Sequence, residues 1–543
     1  MGGMLGGLAA CSRAEKAEDL ISRLGPIDRT LGDRAPAEFS GDQNERPHRI
    51  LWARDAYLAT KRVEPGEEEV PLAIVGGGMS GLFSAYQFRD QKPVILEQAA
   101  RFGGNAKGQS WRGLDYSIGS AYIDTPHAGS PMAQYYQELG LAEITVPRNT
   151  IDPVAVGGKV YADFWSGEAD PTNRKAYERL ATFLTELARE KHEPFPFIPA
   201  LTEGHKRSLL KYDRENLHTC LTRVVGGKLP AQLEAAIEHY SFSTYACSAT
   251  EISAAAALNF LAQEVEPIRV CSGGNARIGE RLMERLLASG VPTQNFRAGA
   301  IVVRVTVEGN RGVRILYEDK EGKLRALRAK AAILACPKFV VAKLLDGIEP
   351  ERVAAIRKLR YRAYVVANLL VNQRAAGKFY DLFLVGDGKV DVGNIRATQD
   401  RQNATDYVLA NFAAPERLKD AKFSVLTFYR AFPYDGARAE LFPPDAFARW
   451  KARFEKQIRE EILPLAQVPE SSIVDLRLTR WGHALPLAAQ GIYSDGTVDA
   501  LRKPFQGKVF FVEQDNWAYP ATQTGATDVA LMRAEIARAL GLA

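Results

Sequence analysis

Residues 71–105 read PLAIVGGGMSGLFSAYQFRDQKPVILEQAARFGGN, and this stretch decides the fold. Leu72 to Val75 is a short apolar run of the kind that forms a buried strand. Gly76, Gly78 and Gly81 follow in the G-x-G-x-x-G arrangement. Leu82, Ala85, Tyr86 and Phe88 then recur at helical spacing, and Val94 to Leu96 forms a second strand that ends on Glu97. Each glycine has a separate task in such a unit. Gly76 permits the tight strand-to-helix turn, Gly78 lets backbone approach a pyrophosphate, and Gly81 lets helix pack on strand. Met79 and Ser80 begin the helix, whose free N–H groups favour phosphate. Glu97 falls about 20 residues after the first glycine, where the dinucleotide fingerprint puts an acceptor for a ribose hydroxyl. The expectation is a nucleotide site in an α/β, Rossmann-type domain.

Beyond Glu97 the chain runs Gln98-Ala99-Ala100-Arg101-Phe102-Gly103-Gly104-Asn105. An acid, then a basic residue and a glycine pair, resembles the second motif of the flavin-dependent amine oxidase superfamily. The resemblance implies FAD rather than NAD, with Gln98, Arg101, Gly103, Gly104 and Asn105 in the loop over its pyrophosphate. Three further pieces extend it. Gly119, Ser120, Ala121 and Tyr122 match the family's small-residue turn beside the flavin ring. Val302, with Val303 nearly as good, matches the valine whose backbone meets the adenine, and Ala335 ends the buried strand that follows. Near the C-terminus, the strand Gly507 to Val512 leads to Glu513-Gln514-Asp515-Asn516, and then to a helix containing Gly525 and Ala526. The usual Ala-Gly before the acid is here Val512-Glu513, so the ribityl ligand stays open between Glu513 and Asp515. Arg480 to Ala484, Lys503 to Gly507 and Asp515 are similar to the C-terminal part of bacterial spermidine dehydrogenase-type flavoproteins.

The expected architecture follows. An FAD-binding domain, discontinuous in sequence, occupies 71–145, 265–345 and 475–543. An inserted α+β substrate domain occupies 146–264, mostly helical, and 346–474. Residues 1–70 read as a leader and surface arm. Ile252 to Leu261 is Ala-rich and reads as a buried helix; Pro444 to Ile462 is helical, with Trp450, Phe454 and Ile458 four apart.

Composition excludes several classes. The chain has 543 residues, 46% hydrophobic and 25% charged, with a net charge of +5 spread along its length. That is an ordinary globular composition, and nothing in it calls for nucleic acid. No apolar run reaches the length of a membrane span. The five cysteines form no C-x-x-C pair, and the seven histidines lack ligand spacing, so no metal is expected. Cys220 and Cys247 are read as buried thiols rather than as a disulfide. Leu8-Ala9-Ala10-Cys11 resembles the lipobox of bacterial lipoproteins, which implies membrane attachment through lipidated Cys11 and a periplasmic location. The apolar stretch is short and no basic residue precedes it, so a cytoplasmic chain is the alternative.

Flavin chemistry asks the protein mainly for position, exclusion of water and tuning of the ring. Trp517 and Tyr519 are the expected aromatic flank for a C–N bond, and could favour a cationic amine. His483 and Tyr122 are the expected acid/base candidates. The resulting reading is an FAD-dependent oxidoreductase that takes a hydride from the carbon next to an amine nitrogen. A small-molecule substrate and an electron acceptor, oxygen or a redox partner, are implied. The alternatives are a desaturase or isomerase of a lipid-like substrate, and a flavin-binding partner protein without turnover. The wall of the substrate cavity separates them: aromatics with an acid favour amines, a long apolar tunnel favours lipids, and a filled cavity favours no turnover.

Overall fold

The computed structural model describes residues 16–148, 152–265 and 268–542. Cys11 and its lipobox-like neighbours lie outside them.

The nucleotide-binding part is built on one sheet. Its parallel strands run Phe296–Ala298, Val94–Glu97, Glu68–Val75 and Leu324–Leu334, with Val509–Phe511 alongside the last. Leu324–Leu334 also pairs antiparallel with Val313–Glu318, which in turn pairs with Ile301–Val307. Leu72, Ala73 and Ile74 are wholly buried. Strands covered on both faces read as continuous apolar runs, which is why this sheet is visible in the sequence. The helix Met79–Gln87 packs against Ala276–Ala288 and Thr524–Leu531. That last contact is very close: a Cβ on Gly525 would lie 2.5 Å from Ser80 Oγ.

A second sheet has eight strands. In spatial order they are Lys159–Tyr161, Val154–Val156, Asp381–Leu384, Asp406–Leu409, Ser424–Phe432, Tyr361–Val371, Ile473–Pro486 and Ser40–Gly41. Alternate residues point to opposite faces. Val365, Ala367, Leu369, Leu426, Phe428 and Leu478 share a core with Trp450 and Phe454 of the helix Ala446–Gln457. Tyr364, Val366, Asp381, Phe383, Asp406, Val408 and Tyr429 take the opposite face, which looks into a cavity. Helices from 174 to 261 cover the remaining side, and Ala254 to Leu258 are fully buried in their midst. Cys220 and Cys247 are both free and buried. Among the described residues, no helix is long and apolar enough to cross a membrane, and no cluster of metal ligands occurs.

Residues 16–69, expected as a surface arm, are instead woven into the body. Leu20 and Leu24 join the nucleotide-domain core. Ile27–Asp28 pairs with Gly108–Gln109, and Ser40–Gly41 pairs with Thr479–Arg480. Arg46 then anchors the helix Glu45–Leu51 to the sheet edge through Glu318 Oε1 at 2.8 Å, Gly299 O at 3.1 Å and Asp319 O at 2.6 Å. The polar composition of the arm signals exposure. Its sparse apolar residues and its two short strands nevertheless hold it down.

Candidate functional site

A long groove of about 1690 Å³ crosses the C-terminal ends of the parallel strands. Its floor is backbone. Gly76 has φ +111° and a Cβ there would sit 2.1 Å from Ala335 O. A Cβ on Gly81 would sit 1.9 Å from Gly76 O, and Gly104 lies against Gly78. Only glycine combines that φ with these approaches. Within the helix, the first N–H with an intrahelical acceptor is Leu82, on Gly78 O at 2.9 Å. The amides before it are left for a ligand in the groove, which Gly78, Met79 and Ser80 line.

Most of the expected cofactor residues meet here. Gly76, Gly78, Met79, Ser80, Glu97, Gln98, Gly103, Gly104, Asn105, Ser120, Val302, Ala335 and Glu513 all line the groove. Val303 is wholly buried, so the geometry selects Val302. Glu97 has a structural task as well. Its Oε2 accepts from Gly77 N and its Oε1 from Ala99 N, each at 2.7 Å, which ties the glycine turn to the second strand. Burial and the neighbouring Asp515 push the Glu513 carboxyl up to about 8.

Several expectations need correction. Arg101 does not reach the groove, because Ser22 O, Gly25 O and Asp28 hold its guanidinium. Asp515 is taken by Lys338, through N at 2.6 Å and Nζ at 2.7 Å, and by the Tyr361 hydroxyl at 2.7 Å. It therefore braces the turn from below, and Glu513 is the acid in the groove. Gly81, Gly525 and Ala526 serve helix packing rather than lining. Trp517 donates to Asp528 at 2.8 Å beneath the Arg502 guanidinium, away from both cavities. Tyr519 is buried against Phe260, with ring centroids 5.2 Å apart. His483 lines the groove; it stacks on Phe339 at 4.2 Å, and Arg438 bonds its Nε2. Burial and Arg438 hold it down to about 3, so it stays neutral and cannot supply a proton near pH 7.

A second cavity of about 1110 Å³ adjoins the groove, and Asn105, Ser120, Ala484, Leu485 and Thr522 line both. Asn275 fixes that junction, with Nδ2 donating to Ser120 Oγ, Tyr122 O and Thr522 Oγ1 at 2.7–3.1 Å. Gly119, Ala121 and Tyr122 face the cavity. So do aromatic residues that the sequence reading did not single out: Tyr364, Tyr429 and Trp481. Their polar atoms are occupied. Trp481 donates to Ile118 O at 2.7 Å, Tyr429 to Gly119 O at 3.1 Å and Tyr364 to Phe242 O at 2.8 Å.

Among the described residues, five carboxylates also line the cavity: Asp124, Asp152, Glu264, Asp381 and Asp406. Burial, then Glu264, pushes Asp124 up to about 7. Burial raises Asp406 to about 6 against hydrogen bonds from Ser243 and Thr405. Asp381 goes well above its ordinary value through burial and its acidic neighbours Asp406, Asp152 and Glu264, and its buried Oδ1 has no partner. Tyr122 is likewise held protonated by burial and the nearby acids. The signal that could have found these acids is the alternation Asp381-Leu-Phe383 and Asp406-Tyr-Val408. An acid at a strand edge reads as a turn residue until the strand's inner face is known.

Residues 74–139 match the family model of an NAD(P)-binding Rossmann-like domain. Oxidoreductase PigB of Serratia sp. is 23% identical, over 83% of this chain and 72% of that protein. Among solved structures, putrescine oxidase bound to putrescine superposes with a TM-score of 0.62 at 16% identity, covering 87% of this chain and 99% of that one. Cyclohexylamine oxidase from Brevibacterium oxydans gives 0.60 at 15%, covering 87% and 99%. A CLA-producing fatty acid isomerase from P. acnes gives 0.60 at 13%, covering 86% and 98%. The fold of the chain is therefore that of the amine oxidases, a flavin-type oxidoreductase fold with a Rossmann-like nucleotide-binding part.

Proposed function

We propose that the chain holds FAD in the long groove and oxidises an amine at the carbon next to nitrogen in the adjoining cavity. The groove suits a dinucleotide in two ways. Its floor is glycine backbone that any Cβ would fill, and helix amides are left over at its centre. Val302 would meet the adenine end, Glu97 the ribose, the Met79–Gln87 helix the pyrophosphate and Glu513 the ribityl chain. A bound flavin supplies the acceptor for a hydride; the chain supplies everything around it.

The observation that carries the amine reading is the cavity wall. Tyr122, Tyr364, Tyr429 and Trp481 face the same space as five carboxylates, in a chain whose net charge is +5. Aromatic faces and buried acids both favour a cation. The acids also suit the proton accounting of the reaction. An ammonium must lose its proton before its neighbouring carbon can give up hydride. Asp124, at about 7, can take up that proton at working pH.

Likeness to a fatty acid isomerase supports the lipid alternative by fold alone. Its substrate is an acid, whereas the described cavity wall carries five carboxyl groups against the single guanidinium of Arg148, so the cavity favours a cation over an anion. A cavity that adjoins the groove and shares part of its lining speaks against a protein without turnover. Anaerobic mixing of the holoprotein with a panel of amines and unsaturated fatty acids, followed by flavin absorbance, tests the choice. Bleaching by an amine is expected. Bleaching by none of the amines refutes the proposal.

A further inference from the structure

The arm that precedes the first strand also reaches the cofactor groove. Ser40–Gly41 pairs with Thr479–Arg480 of the eight-stranded sheet, and Asp42 Oδ2 accepts from Gly482 N. The next side chain, Gln43, bonds the other sheet's strand end: its Oε1 accepts from Ala100 N at 3.0 Å. The chain thus passes from one sheet to the other at Asp42 and Gln43. Both landing points flank the groove. His483, Ala484 and Leu485 follow Gly482, Glu97 and Gln98 precede Ala100, and all of them line it. The helix Glu45–Leu51 comes next, fixed by the bonds of Arg46 to Glu318, Gly299 O and Asp319 O.

This crossing segment lines the groove itself. Besides Asp42, the lining includes Gln43, Asn44, Pro47, His48, Leu51 and Trp52. From Asn44 onward these positions recur three and four apart, which is one face of a helix. The face combines apolar surface with polar groups, as a nucleoside does. Pro47, Leu51 and Trp52 supply the apolar part, and Leu51 shares a core with Ala300, Val302 and Leu344, at the end assigned above to adenine. Asn44, whose side chain does not cap the helix, and His48 supply the polar part.

We propose that residues 42–52 are a strap across the cofactor groove and a fourth piece of the FAD site, holding the adenosine half so that FAD leaves only when the strap lifts. This rests on the FAD reading above, and flavin release tests it without turnover. Holoprotein is diluted, and the rise in fluorescence of released FAD is followed. Arg46→Met frees the helix from the sheet edge while Tyr57 and Lys61 still hold Glu318. It should release FAD at least about tenfold faster than the wild type, because changes at a binding surface act mainly on dissociation. Arg29→Met loosens the arm ahead of the strap, where Arg277 still pairs with Glu280. Its release should stay within about twofold of the wild-type rate. Asn44→Ala combined with His48→Ala removes groove-lining side chains and no anchor, and should release FAD about fivefold faster. This double variant decides should Arg46→Met fail to fold. Release at the wild-type rate in either strap variant overturns the proposal, and so does an Arg29→Met as fast as Arg46→Met. Those outcomes leave the FAD reading standing. A wild type that takes up no flavin refutes that reading and the strap with it.

Discussion

The groove and the cavity share a wall but are made in opposite ways. The floor of the groove is made of backbone, the glycine turns, helix amides and strand ends of residues 75–81 and 96–105. The cavity is made largely of side chains, contributed by many separate segments from residue 105 to residue 523. Local geometry therefore dictates the first, and long-range register dictates the second. Substitutions should act accordingly. Those in the groove should remove cofactor or stability, and those in the cavity should change what binds while leaving the cofactor in place.

Gly81→Ala should have the largest effect. Its Cβ would lie 1.9 Å from Gly76 O, in rigid backbone on both sides. Overpacking of this kind costs about 1–3 kcal/mol and sometimes more. The protein is expected to purify with little flavin, as read by its absorbance against protein content. Full flavin content would break the claim that backbone makes the groove.

Lys338→Met comes next. It leaves Asp515 buried without its cation, although the Tyr361 bond survives. Removing one partner of a buried pair typically costs about 3–5 kcal/mol, measurable by denaturant unfolding. Because Asp515 braces the turn that presents Glu513, flavin retention should fall with stability.

Glu97→Gln is smaller. The new amide must turn its NH2 toward either Gly77 N or Ala99 N, so one buried donor loses its acceptor. That costs about 1–3 kcal/mol, and weaker flavin retention on dilution should accompany it. Unchanged retention and stability would remove Glu97 from the account.

The smallest effect lies in the cavity and depends on pH. Asp124 has its carboxyl raised to about 7. Its protonated form therefore stabilises the ligand-free fold at low pH, and that contribution is lost as pH rises through about 7. The freed carboxylate then attracts cations, so amine affinity should rise a few-fold between pH 6 and pH 8. Asp124→Asn should flatten the rise while leaving flavin content unchanged.

The same contrast explains what the sequence could tell. The first strand, the glycine turn, Glu97 and Val302 are readable because each is specified by its neighbours in the chain. Arg101 carried the right motif and the wrong destination, because the arm at Ser22 to Asp28 was not known to pass beside it. Trp517 and Tyr519 follow the correct strand, but Ala518 adopts a left-handed φ of +46° and turns the chain, leaving both rings in the core. Asp381 and Asp406 could not be picked out, since their function depends on which face of an eight-stranded sheet is covered by helices some 150 residues earlier. Asn275 shows the same limit: it precedes a helix in sequence, yet it works by joining Ser120 to Thr522.

One measurement tests the division most directly. Wild type and Asp381→Asn are mixed anaerobically with butylamine in a stopped-flow instrument, and flavin absorbance is followed. The two proteins should start with equal flavin absorbance. The wild type should bleach, and Asp381→Asn should require about tenfold more amine for the same rate, because an ammonium beside Asp381 draws that otherwise protonated carboxyl into its charged form and an amide cannot follow. A wild type that no amine bleaches, or an Asp381→Asn that bleaches at the same amine concentrations, would contradict the account.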